Sequence, residues 1–80
     1  MSVYQNVVEY CVRRLCEEPD AVDVEVLDER ETIQITVRVA PNDVGKVIGK
    51  NGRVVSALRQ YLSAIARQNR EKVYLKVITE

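Results

Sequence analysis

The sequence predicts a two-layer α+β domain: three helices on one face of a three-stranded mixed sheet, in the order helix, strand, strand, helix, helix, strand. Three observations carry this. Apolar residues recur at helical spacing near the start of the chain and again over residues 54–66. They alternate with polar residues in three separate segments, and the last two segments are joined by a helical crossover. The chain has 80 residues, 46% apolar and 30% charged, the composition of an ordinary folded domain and not of a disordered chain. It is read as one domain over residues 1–80. A domain of this size buries only about 60% of its unfolded surface, so self-association is in keeping with its size.

Each element has its own signal. Tyr4, Val7, Val8, Cys11, Val12 and Leu15 fall on one helical face, predicting a helix over 2–17 that Pro19-Asp20 ends. Val22, Val24 and Val26 alternate with Asp23 and Glu25. After Asp28-Glu29-Arg30-Glu31, the series Ile33, Ile35, Val37, Val39 alternates with Thr32, Gln34, Thr36, Arg38. These are two half-buried strands joined as a hairpin. Pro41 suits a first helical position, and Asp43 falls in a first turn, where a carboxylate favours the positive end of the helix dipole. A short helix is therefore expected over 41–48, a long one over 53–69, and a last strand over 72–79 with Val73, Leu75 and Val77 on one face. The core unit 32–79 is strand, helix, helix, strand. Its crossover should be right-handed with parallel strands, and residues 2–29 add a helix and an antiparallel strand to it.

On the long helix, Tyr61, Val54, Ile65, Leu58, Leu62, Val55 and Ala66 span about 140°, and Ala57 and Ala64 widen the arc to about 200°. That is wider than one sheet needs. The edge near Val55 or the alanines is a candidate subunit contact, unless the first helix covers it. Tyr74, Ile78 and Leu27 on the opposite sheet face form a second candidate.

Charge is balanced overall but not along the chain. Residues 1–43 hold Arg13, Arg14, Arg30 and Arg38 against ten carboxylates; residues 44–70 hold Lys46, Lys50, Arg53, Arg59, Arg67 and Arg70 and no carboxylate. Either the basic half meets a polyanion, or acidic and basic elements complement each other across the fold. There is no histidine, no Cys-x-x-Cys, and Cys11 and Cys16 are spaced so that they cannot bridge on one helix. Cys11 reads as a small core residue, and reduced thiols suit the cytoplasm. No export signal and no membrane span is read, and neither a metal nor a cofactor is expected.

The motif sits in the basic half: Gly45-Lys46-Val47-Ile48-Gly49-Lys50-Asn51-Gly52-Arg53. Gly49 and Gly52 make a tight turn that can present bare N–H groups to an anion, since neither carries a Cβ. A Walker loop is excluded, because only three residues separate Gly45 from Gly49 and Asn51 stands where a hydroxyl is needed. The glycines also miss the dinucleotide-binding spacing. With no carboxylate in the basic half to act as base or metal ligand, catalysis has little support, and the chain is read as a non-enzyme with no small-molecule substrate.

A short helix with Val47-Ile48, the turn Gly49-Lys50-Asn51-Gly52 and a helix opening at Arg53, between two strands, resembles the KH domain of RNA-binding proteins. With a helix and strand placed before that core, the order resembles the type II, prokaryotic arrangement. The stretch from Val39 to Arg59 is similar to the small bacterial single-KH proteins of the KH-domain protein A family. The resemblance implies a cytosolic protein that binds single-stranded RNA and self-associates or pairs with a larger KH-containing protein. It also implies a role as RNA chaperone or post-transcriptional regulator, with links to cell shape.

In a domain of this kind the turn clamps the backbone of about four nucleotides. The N–H groups of Lys50, Asn51 and Gly52 and the start of the next helix would face phosphate, with Lys50 and Arg53 adding charge and Lys46 a third contact. Gly45 and Ile48 would line the groove; Gly45 otherwise reflects close helix–sheet packing. Ser56 and Arg59 are candidate secondary contacts, and the roles of Arg67 and Arg70 stay open. With no Trp or Phe and no tyrosine in the turn, binding should be weak and of low sequence preference, and dimerisation would raise it. The competing reading is a protein-interaction adaptor with the same fold, RNA being incidental to it.

Overall fold

The computed structural model describes residues 3–79. Helix α1 (Val3–Leu15) is followed by a 3₁₀ turn, Pro19–Ala21, and by strands β1 (Asp23–Glu29) and β2 (Thr32–Val39). A second 3₁₀ turn, Pro41–Asp43, leads into α2 (Val44–Ile48). A third, Lys50–Gly52, leads into α3 (Arg53–Gln68), and β3 (Lys72–Thr79) closes the sheet. The strand order is β1-β2-β3, with β1 antiparallel and β3 parallel to β2. This is the α+β order the alternation patterns predict.

The sheet has one covered and one open face. Val24, Ile33, Ile35, Val37, Val39 and Leu75 are buried beneath the helices together with Val8, Val12, Val47 and Leu62. α1 lies against β1, and α3 against β3, while α2 packs between α3 and β3. The other face is polar, apart from Leu27 and Tyr74, which flank Gln34 in one row across the strands, and the half-buried Ile78 near the end of β3. β-Branched residues dominate the covered rows, as suits a pleated, packed surface.

Several boundaries differ from the expectation, each for a local reason. The expected start at residue 2 lies outside the described residues. α1 stops at Leu15, short of Pro19, because the Asp43 carboxylate captures the next amides: the N–H groups of Glu17 and Glu18 donate to its Oδ1 and Oδ2 at 2.9 and 3.0 Å. Pro19 opens a 3₁₀ turn of its own. Cys16 therefore lies beyond the helix, and both cysteines are free and half-buried. β1 continues to Glu29, so the hairpin reverses at Arg30-Glu31, with Arg30 left-handed at φ 56°. The expected helix over 41–48 is a 3₁₀ turn followed by α2.

Asp43 itself is a correction. Its side chain makes no cap to α2; it is fully buried and bound to the chain after α1. Val55 is also buried, so it is not a subunit edge, whereas Ala57, Tyr61 and Ala64 are exposed. α1 does not cover them. A groove of about 490 Å³ runs between the helices past Val7, Tyr10, Cys11 and Tyr61. No helix among the described residues is long and apolar enough to cross a membrane.

Candidate nucleic-acid interface

The backbone between α2 and α3 is shaped by three residues with positive φ. Gly49 ends α2 at φ 80°, ψ 170°, a conformation that glycine alone adopts readily, and its N–H closes the helix on the Gly45 carbonyl at 2.8 Å. Asn51 (φ 57°) and Gly52 (φ 73°) are both left-handed, which asparagine tolerates and glycine favours. Gly52 is the N-cap of α3. Val47, buried one turn earlier, anchors the turn to the core.

The hydrogen bonds within the turn decide which amides are free. The Gly52 N–H donates to the Gly49 carbonyl at 3.1 Å, and the Arg53 N–H to that of Lys50. Gly52 is therefore spent internally, against the expectation that its N–H faces an anion. The N–H groups of Lys50 and Asn51 have no acceptor among the described residues. These exposed amides stand beside the N-terminus of α3, whose first turn holds no acidic residue and whose N-cap makes no side-chain bond. The positive end of that helix dipole is uncompensated, and an anion placed there would meet amide donors, the dipole, and the Lys50 and Arg53 side chains together.

The remaining expected contacts are brought together to different degrees. A Cβ at Gly45 would meet nothing within 4 Å, so close packing does not explain that glycine, and its exposed surface leaves the floor beside Ile48 clear. Ile48 is half-buried against the core. Lys46 is exposed but engaged, in an ion pair with Glu17. A surface pair of this kind holds its partners weakly, about 0–1 kcal/mol, and a phosphate could displace it. Ser56 is exposed on the next turn of α3. Arg59, the other candidate secondary contact, donates from Nη2 to the Leu75 carbonyl of the edge strand β3 at 3.0 Å.

The sequence reading missed what holds this arrangement from below. The two amide bonds to Asp43 and the Lys46–Glu17 pair tie the end of α1 to the base of α2. The amide bond from Glu17, with that from Glu18 and the nearby Lys46, holds the Asp43 carboxyl below its ordinary range despite burial. Burial pushes the neighbouring Cys16 thiol up, with Asp43 beside it, so it is not a reactive thiolate. No signal in residue spacing joins positions 17 and 43. Among the described residues no cluster of His, Cys, Asp and Glu could hold a metal.

A short helix, a Gly-x-x-Gly turn with outward amides and a long helix, laid on a mixed sheet with the helix and strand in front, define a KH domain of type II arrangement. The family model for the KH domain of KhpA and KhpB matches residues 5–77. RNA-binding protein KhpA of Aquifex aeolicus is 38% identical over 78 residues, covering 98% of this chain and 99% of the relative. Its counterpart in Clostridium perfringens is 40% identical over 75 residues, covering 92% and 99%. This chain belongs to the KhpA/KhpB KH-domain family. Among solved structures it is similar in fold to Era, in a complex with MgGDPNP and nucleotides 1506–1542 of 16S ribosomal RNA, with a TM-score of 0.55 and 22% identity. That match covers 96% of this chain but 31% of the other.

Proposed function

We propose that this protein binds single-stranded RNA by its sugar-phosphate backbone, with Gly49-Lys50-Asn51-Gly52 as the clamp. The observation that carries the reading is the pair of unbonded amides at Lys50 and Asn51, beside an uncapped helix N-terminus in a carboxylate-free stretch. The names of its relatives point the same way. Lys50 and Arg53 contact phosphate directly. Lys46 joins them once released from Glu17, Ser56 and Arg59 extend the contact along α3, and Gly45 and Ile48 floor the groove for the bases. With no aromatic ring in the turn, affinity is modest and sequence preference low.

The protein works as a dimer or with a larger KH-containing partner, in the cytoplasm, as an RNA chaperone or post-transcriptional regulator and not as an enzyme. Joining two weak sites raises avidity by about 10²–10⁴ where one RNA spans both. The adaptor reading draws on one specific feature, the groove between α1 and α3 with its exposed Tyr10 and Tyr61. Fluorescence anisotropy with a mixed-sequence RNA separates the two. Lys50→Asp/Asn51→Asp should stay folded and lose binding, and for the unmutated protein log K should fall against log salt with a slope of about −2 to −3, as three or four phosphates give. Equal binding by both proteins would leave the adaptor.

A further inference from the structure

The clamp leaves a concavity at the far end of α3 unused. It has a volume of about 310 Å³ and lies at the sheet edge where the last turns of α3 meet the start of β3, lined by Ser63 and Arg67 from the helix and by Lys72 and Tyr74 from the strand. A neighbouring concavity shares Arg67 and Lys72 and adds Arg70. Two carboxylates, Glu71 and Glu31, also line this region. Glu71 accepts a hydrogen bond from the Tyr4 hydroxyl at 2.7 Å, while none of the ion pairs among the described residues involves Arg67, Arg70 or Lys72. Three cations thus stand against two acids, beside a tyrosine that is 58% exposed on an edge strand.

Helix geometry connects this place to the clamp. Ser56, Arg59, Ser63 and Arg67 fall within an arc of about 80° on α3, and Arg67 lies about 21 Å along the axis from Arg53. The bond from Arg59 to Leu75 fixes that row over the edge of β3. No carboxylate interrupts it, since residues 44–70 contain none. The end of α3 adds a second, independent sign. Arg70 is left-handed at φ 57°, and the N–H of Glu71 closes on the Ala66 carbonyl at 2.8 Å, a helix ending whose left-handed position glycine ordinarily fills. An arginine is kept there at a conformational cost. Arg67 and Arg70 also suit the negative end of the helix dipole, but that does not account for Lys72 and Tyr74 on the neighbouring strand.

We propose that this concavity is a second subsite for the same single-stranded RNA. Beyond the clamp, the strand follows the α3 row along the β3 edge, delivers a phosphate to Arg67 and Lys72, and stacks a base on Tyr74. The proposal rests on the clamp reading. It makes the bound length greater than the clamp alone spans and supplies the aromatic contact that the turn lacks.

Oligonucleotide length tests it. Affinities for a tetranucleotide and an octanucleotide are measured by anisotropy for the unmutated protein, Arg67→Gln/Lys72→Gln, Tyr74→Ala, Tyr74→Phe and the clamp variant Lys50→Asp/Asn51→Asp, each checked for folding by circular dichroism. Arg67→Gln/Lys72→Gln should weaken the octanucleotide about tenfold and flatten its salt slope by about 0.7, the share of that one phosphate, while leaving the tetranucleotide unchanged. Tyr74→Ala should weaken only the octanucleotide, by about fivefold or more, and Tyr74→Phe should restore it. A long-range field effect is excluded near 0.15 M salt, where the Debye length of about 8 Å is well short of the separation. Equal losses on both oligonucleotides, or none on either, would overturn the subsite. The clamp variant reports separately: loss of both oligonucleotides upholds the clamp whatever the subsite does, and undiminished tetranucleotide binding overturns the clamp.

Discussion

A Cβ added at Gly49 would stand 2.8 Å from the backbone nitrogen of Val54, and the residue's φ of 80° is unfavourable to any side chain as well. At Gly52 the added atom would meet open space, so only its φ of 73° opposes substitution. Gly49→Ala should therefore cost about 2–4 kcal/mol, strain and overpacking together, and Gly52→Ala about 1 kcal/mol, read from urea denaturation midpoints. The same reasoning at Asp43 gives a pH dependence. Its carboxyl is held below the ordinary range chiefly by the Glu17 amide, so the folded state favours the ionised form. That contribution is complete above the unfolded pKa of about 3.9 and is lost as the pH falls through the lower folded value. The gap in Tm between the unmutated protein and Asp43→Asn should be constant above about pH 5 and close on acidification below about pH 4. A gap that widens in acid would contradict the assignment.

At the scale of elements, the unit that matters is α2, its turn and α3. The first turn of α3 holds no acidic residue, although one would suit the dipole there. Arg53→Glu should accordingly stabilise the protein by about 0.3–1 kcal/mol in thermal unfolding while weakening RNA binding at least tenfold. A substitution that stabilises the fold and removes binding marks a helix end kept open for an anion. Much of this unit was legible in the sequence. The glycine spacing and the following apolar periodicity placed the turn and α3, strict alternation placed β2 and β3, and the helical crossover between them gave their parallel orientation. What escaped was fixed by contacts between distant positions. α1 ends early because an acid from beyond β2 takes its next amides, and Arg59 is drawn to a strand carbonyl, neither of which leaves a mark in local pattern. The Gly52 amide was misjudged for a different reason: glycine spacing shows that a turn can expose its N–H groups, not which of them the turn consumes.

For the whole molecule, the division of charge along the chain becomes a division in space. Three of the four acids of β1, Asp23, Glu25 and Glu29, face outward on one edge of the sheet, while Lys72 and Lys76 face outward on the other, next to the carboxylate-free α3. A neutral protein can thus present a positive side to a polyanion, so a net charge of zero does not argue against one. The groove between α1 and α3, with Tyr10 and Tyr61, lies apart from the turn and leaves room for a protein contact at the same time. The most direct test of the clamp is a titration of the ¹⁵N-labelled protein with a short single-stranded RNA, followed by amide chemical shifts. The clamp predicts the largest shifts at the Lys50 and Asn51 amides, with Arg53 and Ser56 next and the Gly52 amide less affected. Shifts confined to Val7, Tyr10 and Tyr61, with the turn unmoved, would contradict it.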